Sequence, residues 1–213
     1  AMPNKPIKYV VNSHAHFDHA GGLGPFVAEG AIVITHDVNK AFFEQTLAAP
    51  RTVQPDTLAK SGKKATVEGV KDKRVLSDDT RTIELYHIQG NMHNDGLLMA
   101  YLPKEKFLVQ ADVYTPPAPN TPPPAQPHPA QVNLYENIER LKLTVDQMVP
   151  LHGRIVPLSD LLKAIVGALS STGQAAGPAA VAAAQVTDAA PQPRRILLAE
   201  DNAVNRQVAL AVL

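Results

Sequence analysis

The stretch VVNSHAHFDHAGG, Val10 to Gly22, sets His14, His16, Asp18 and His19 within six positions, directly after an apolar run. The whole chain has eight histidines in 213 residues, so three in that span is a strong departure from even spacing. At a strand end, residues i and i+2 point to the same side. His14 and His16 can therefore hold one ion together. The chain then turns, and Asp18 and His19 face a second point close by. There is no cysteine, which removes disulfides, thiol nucleophiles and thiolate ligands. Any metal must be held by histidine or carboxylate, a donor set that suits zinc or another first-row divalent ion.

Charge and hydropathy narrow the partners. Lys+Arg and Asp+Glu both total 20, giving zero formal charge. That balance argues against nucleic acid or an anionic membrane and leaves a small-molecule substrate as the expected partner. No window approaches 18 uncharged apolar residues, so no membrane-spanning helix is expected. The opening AMPNKPIKYVV lacks the apolar run of a signal peptide. A cytoplasmic location is the expectation where no leader precedes these residues.

Hydrophobic patterning predicts an α/β chain. IKYVVNS reads as a buried strand, GGLGPFVAEG as a short helix closed by Gly30, and AIVITH as a second strand. Asp37 is placed to cap the helix VNKAFFEQTLAA, and residues 51–66 read as loop. KRVL and TRTIELYHI form a hairpin around SDD, and GLLMAYL pairs with KFLVQAD around PKEK. The segment 116–129 carries eight prolines in fourteen residues and reads as a surface loop. A helix is expected from Asn133, a strand in MVPLHG, and a last amphipathic helix in LSDLLKAIVGAL with Ser159 as cap.

A two-ion centre needs further ligands, and each candidate follows a predicted strand. His93 comes after TIELYHIQG, Asp112 ends KFLVQAD, and His152 ends MVPLHG. In layered α/β folds such strand ends share the rim where sites are built.

The ordered series HAHFDH, MHNDG, QAD and LHG resembles the metallo-β-lactamase superfamily over roughly residues 5–168. The resemblance implies an αββα sandwich and two zinc ions. It implies that His14, His16 and His93 hold the first ion, that Asp18, His19 and His152 hold the second, and that Asp112 bridges them. The expected activity is dinuclear zinc hydrolysis of a β-lactam, lactone, ester or thioester. Two adjacent ions ionise a shared water at neutral pH and polarise the attacked oxygen. Asp18 and His152 are the expected catalytic residues, with Asp18 orienting the water and accepting its proton.

Other residues have plainer expectations. His87 reads as core or as a support behind the ligands, His36 as a strand-end residue, His128 as exposed among prolines, and Tyr114 as a loop aromatic. Asn94 and Asp95 are expected to shape the turn after His93.

Superfamily members carry several strands before the first histidine motif, and only thirteen residues precede His14 here. The sandwich is therefore expected to be incomplete at the N-terminus, with an open edge that favours a homodimer. Residues 1–169 are expected to form the hydrolase domain and 170–193 an Ala/Pro-rich linker. Residues 194–213 resemble the start of a response-regulator receiver, with Glu200 and Asp201 as its acidic pair and no phosphoacceptor. Two alternatives to a hydrolase follow: a zinc-binding sensor or signalling fusion, and a weakly active zinc-binding fragment.

Overall fold

The computed structural model describes residues 6–171 except 123. The expected linker beyond residue 171 and the receiver-like segment 194–213 lie outside the described residues.

Two sheets carry the fold. The first has β1 (Tyr9–Val11), β2 (Ile32–His36) and β3 (Val67–Val70), all parallel in the order β1-β2-β3. The second runs β4 (Lys73–Ser77), β5 (Thr82–His87), β6 (Leu98–Leu102), β7 (Phe107–Gln110), β8 (Gln147–Pro150) and β9 (Val156–Pro157) in sequence order. All its neighbours are antiparallel except β7 and β8. That pair is joined through α5 (Pro129–Arg140), as a parallel crossover requires.

Residue alternation along the strands builds the layers. Val33 of β2 packs with Val27 of α2 (Leu23–Glu29), Phe43 of α3 (Asp37–Ala48) and Leu58 of α4 (Thr57–Ser61). Its neighbour Ile34 points the other way, onto Leu85 and Leu98 of the second sheet. Tyr86 and Met99, one residue on from these, face Leu134 and Ile138 of α5 and Leu161 of α6 (Leu158–Ser171). Three apolar layers thus separate helix, sheet, sheet and helix, and the expected αββα sandwich is what forms.

Several local expectations are corrected. The N-cap of α3 is His36, whose Nδ1 accepts from the Val38 N–H at 3.3 Å, and Asp37 is the first helical residue. α4 occupies part of the expected loop 51–66, capped by Asp56 Oδ1 on the Ala59 N–H at 2.8 Å. At five residues it is too short to show a period. β3 reads VEGV, which lacks an apolar run. Its backbone pairing with β2 makes it a strand, and at Gly69 a Cβ would lie 2.0 Å from Asp37 Oδ1, so a larger residue there would have to turn that carboxylate aside. α5 starts at Pro129, inside the proline-rich segment, with proline at its first turn, where the missing N–H costs nothing. Ser159 lies within α6 and is not its cap.

Candidate metal centre

Four strand ends deliver the expected residues to one rim. After β1, the Ser13 carbonyl accepts from the Leu98 N–H of β6 at 2.8 Å, tying the two sheets together just before His14. Asn12, 1% exposed, fixes the loop that follows. Its Oδ1 accepts from the Thr35 hydroxyl at 3.1 Å, and its Nδ2 donates to the His19 carbonyl at 3.1 Å. One turn of helix, α1 (Phe17–Ala20), then swings Asp18 and His19 inward.

Seven side chains converge in two groups. His14, His16, His93 and Asp112 form one, and Asp18, His19, Asp112 and His152 the other. Within each group the donor atoms lie within 4.8 Å of one another. His14 Nε2 and His93 Nε2 are 3.2 Å apart, and His19 Nε2 and His152 Nε2 are 3.1 Å apart. His16 stands edge-on to His14 and His93 at ring-centroid distances of 4.4 and 4.7 Å. Asp112 belongs to both groups. Its carboxylate lies 3.1 Å from Nε2 of His19, His93 and His152 and 3.3 Å from that of His14.

These side chains fit metal ions by the chemistry of their donors. Nitrogens bonded to a tetrahedral zinc at about 2.0–2.1 Å stand roughly 3.3 Å from one another, close to the spacing of the paired Nε2 atoms. The far side of the His14 ring is also committed, with Nδ1 3.1 Å from the Ser13 hydroxyl. That contact directs Nε2 inward. Burial holds the His14 pKa below its ordinary value and so favours the neutral ring that binds metal. Burial pushes the Asp112 carboxyl up, but hydrogen bonds from His14 and His19 outweigh it and hold the group well below the usual carboxylate range.

The Asp112 backbone is left-handed, with φ at 63°. Asp tolerates this region better than most residues. Gln110, 1% exposed, holds the bend. Its Oε1 accepts the N–H groups of Val113 and Tyr114 at 3.1 and 3.2 Å, and its Nε2 donates to the Tyr114 carbonyl at 2.6 Å. Neither Gln110 nor Asn12 announces itself in sequence, except as a polar residue at the end of an apolar strand.

The remaining residues fall elsewhere. Tyr114 is buried in the core behind the second sheet, away from a loop surface. His128 is exposed and caps α5, its Nδ1 accepting from the Ala130 N–H at 3.2 Å. Asn94 shapes its turn through Oδ1 on the Gly96 N–H at 2.8 Å, and the Asp95 carbonyl lies 2.8 Å from His87 Nε2. His36 and His87 stack with ring centroids 4.0 Å apart. A groove of about 770 Å³ beside β1, lined by Tyr9, Leu76 and Ile83 among others, contains none of the seven converging residues.

His36 makes the apoprotein acid-sensitive. Burial and then the neighbouring His87 lower its pKa, while the Lys71 carbonyl, Asp37 and Asp72 pull the other way. A folded pKa below the unfolded value of 6.5 means that the unfolded state takes up the proton first. His36 therefore contributes its full stability above about pH 6.5 and loses it as pH falls through that value. Between pH 6.5 and 5.5 the metal-free wild type should lose more stability than His36→Gln in urea unfolding, by at most about 1 kcal/mol. Equal losses would show that His36 does not titrate there.

A family profile described as the metallo-beta-lactamase superfamily matches residues 1–155. The chain belongs to the metallo-beta-lactamase superfamily. Solved structures share its fold at low identity. A metallo-beta-lactamase from Pontibacter korlensis is 17% identical, with a TM-score of 0.53 over 80% of this chain and 71% of its own. An archaeal superfamily protein from Sulfolobus tokodaii is 16% identical, with a TM-score of 0.55 over 94% of this chain and 75% of its own. The rubredoxin oxygen:oxidoreductase of Desulfovibrio gigas is 18% identical, with a TM-score of 0.56 over 76% of this chain and 44% of its own. The chain therefore spans under half of that protein's length. The comparison with curated proteins gives no match. Among the described residues no helix is long and apolar enough to cross a membrane.

Proposed function

We propose that this chain is a dinuclear zinc hydrolase that cleaves a small carbonyl substrate, a β-lactam, lactone, ester or thioester. The observation that carries the reading is Asp112, whose carboxylate reaches imidazoles of both groups. His14, His16 and His93 would hold the first ion, Asp18, His19 and His152 the second, and Asp112 would lie between them. When bound, such a pair supplies an ionised water at neutral pH and a Lewis acid for the attacked oxygen.

The chain's own residues do the rest. His14 and His19 have side chains 0% and 4% exposed and form the floor. Asp18, His152 and His93 are 47%, 34% and 29% exposed, so they bound the open side by which a substrate enters. Asp18 Oδ2 lies 3.1 Å from His152 Nε2, which steadies the carboxylate. Asp18 orients the attacking water, takes its proton and returns it to the departing oxygen, nitrogen or sulfur.

Purified protein should carry two zinc ions per chain and hydrolyse at least one of a chromogenic cephalosporin, an acyl lactone, an aryl ester and a thioester. Chelation should abolish turnover and zinc should restore it. Fewer than one zinc per chain after reconstitution would overturn the reading. So would iron bound tightly with no hydrolysis of any of the four, since the same donors accept iron and an oxidoreductase shares the fold.

A further inference from the structure

The loop between β5 and β6, residues 88–97, carries His93 at its middle and is closed at its base by the Ile88 N–H on the Leu97 carbonyl at 2.9 Å. A loop of this length needs an external hold to keep one imidazole in place. Asparagines supply it. Asn91 is 3% exposed, and its Oδ1 accepts from the His93 N–H at 2.9 Å. Its Nδ2 donates to Asn133 Oδ1 on α5 at 3.0 Å. Asn133 Nδ2 donates to the Gln89 carbonyl at 2.9 Å, and Asn137, one helical turn on, also donates to that carbonyl at 3.0 Å. Asn137 Oδ1 accepts from the Gln89 N–H at 3.0 Å. Gly90 adopts φ +70° beneath Asn133, whose Nδ2 would lie 3.5 Å from a Cβ there. On the other flank Asn39 Nδ2 donates to the Gly96 carbonyl at 3.0 Å. A Cβ on Gly96 would sit 2.5 Å from both Asn39 Nδ2 and Val38 Cγ2, so the loop lies directly on α3.

We infer that Asn91 and Asn133 are positioning residues for the first metal site. They act through the backbone of His93 and leave the second site to its own loops. Two features point to this function. Asn91 spends both ends of its amide on one chain, from the helix through Asn133 to the amide of a ligand residue. Asn133 and Asn137 also sit at i and i+4 on α5, next to Leu134 and Ile138, where an apolar residue would pack more simply against the sheet. Of the seven converging side chains, only His93 rides on this loop. The inference rests on the metal-centre reading above, because a positioning residue needs a ligand to position.

The test is a stepwise zinc titration of metal-freed full-length protein against a chromophoric chelator, with thermal unfolding of each apoprotein measured alongside. Wild type should bind two equivalents. Asn91→Ala removes both contacts and should weaken one equivalent about 10–100-fold while the other changes less than about 3-fold. Asn133→Ala, on a half-buried helical position where alanine is favourable, should give a smaller loss in the same equivalent. Asn91→Ser keeps a side-chain acceptor for the N–H two residues on and should recover most of the Asn91→Ala loss. Cobalt-substituted protein should show the same selectivity, with the absorption of one site altered and the other retained. Equal weakening of both equivalents, or unchanged affinities in both alanine variants whatever their unfolding temperatures, would overturn the inference. Should Asn91→Ala fail to fold, the Asn133→Ala and Asn91→Ser pair decides alone. Wild type that binds no metal would instead refute the metal-centre reading itself.

Discussion

Asp112→Asn is expected to release at least one of two bound zinc ions and to lower kcat/KM by about 10⁴-fold, the joint loss of a ligand charge and of the oxyanion stabilisation it supports. Asparagine is nearly isosteric and tolerates the left-handed backbone at φ 63° almost as well as aspartate does, so the fold should survive. What disappears is the anion that four imidazoles approach within 3.1–3.3 Å. A neutral amide cannot offer two anionic oxygens to two sites at once, and its NH₂ has no lone pair with which to hold a cation. Metal content by atomic spectroscopy and kcat/KM on the best substrate check the prediction together. Retention of two ions with near-normal turnover would show that Asp112 does not bridge.

Asp18→Asn tests the proposed role of Asp18 as proton acceptor. Asp18 lies on the open side and contacts His152 and His19, at 3.1 and 3.3 Å, both of the second group. The variant should therefore keep one tightly held zinc while kcat falls about 10²–10⁴-fold, the usual contribution of a placed acid–base group. Single-turnover hydrolysis separates this loss from slow product release. A variant that binds two ions normally and turns over within about 3-fold of wild type would remove Asp18 from the chemistry.

The two variants differ because two kinds of neighbourhood differ. Asp112 is held by Gln110 and sunk among four rings, so its loss propagates to both groups. Asp18 stands at the rim on one turn of helix, so its loss stays local.

Much of this centre was legible before any fold was known. His14, His16, Asp18 and His19 are local in sequence, and their spacing follows from strand and turn geometry alone. His93, Asp112 and His152 each follow an apolar β-branched run, and a strand's own residues disclose where it ends. The α/β class was legible from the short apolar runs, but the sandwich was expected only through the resemblance of the ordered motifs to a known superfamily, since β2 and β6 are apolar on both faces and do not state which residue faces which layer. Shorter or less regular pieces were hidden. Five residues of α4 cannot display a helical period. β3 contains Glu68 and Gly69 and becomes a strand because β2 offers it a ladder. The capping roles of His36 and His128 were equally invisible, since histidine is not among the usual N-cap residues.

The sequence by itself determined the kinds of donor atom, their order and the strand ends from which they project, because those depend on side-chain chemistry and short-range periodicity. The tertiary structure alone decided what holds the donors in place: Gln110 around the Asp112 bend, Asn12 between β2 and the first loop, and Asn91 on Asn133 across 42 positions. Such hydrogen bonds join residues that no local pattern connects. An amide side chain looks the same in sequence whether it meets water or the backbone of a ligand loop, and only the folded chain removes the water.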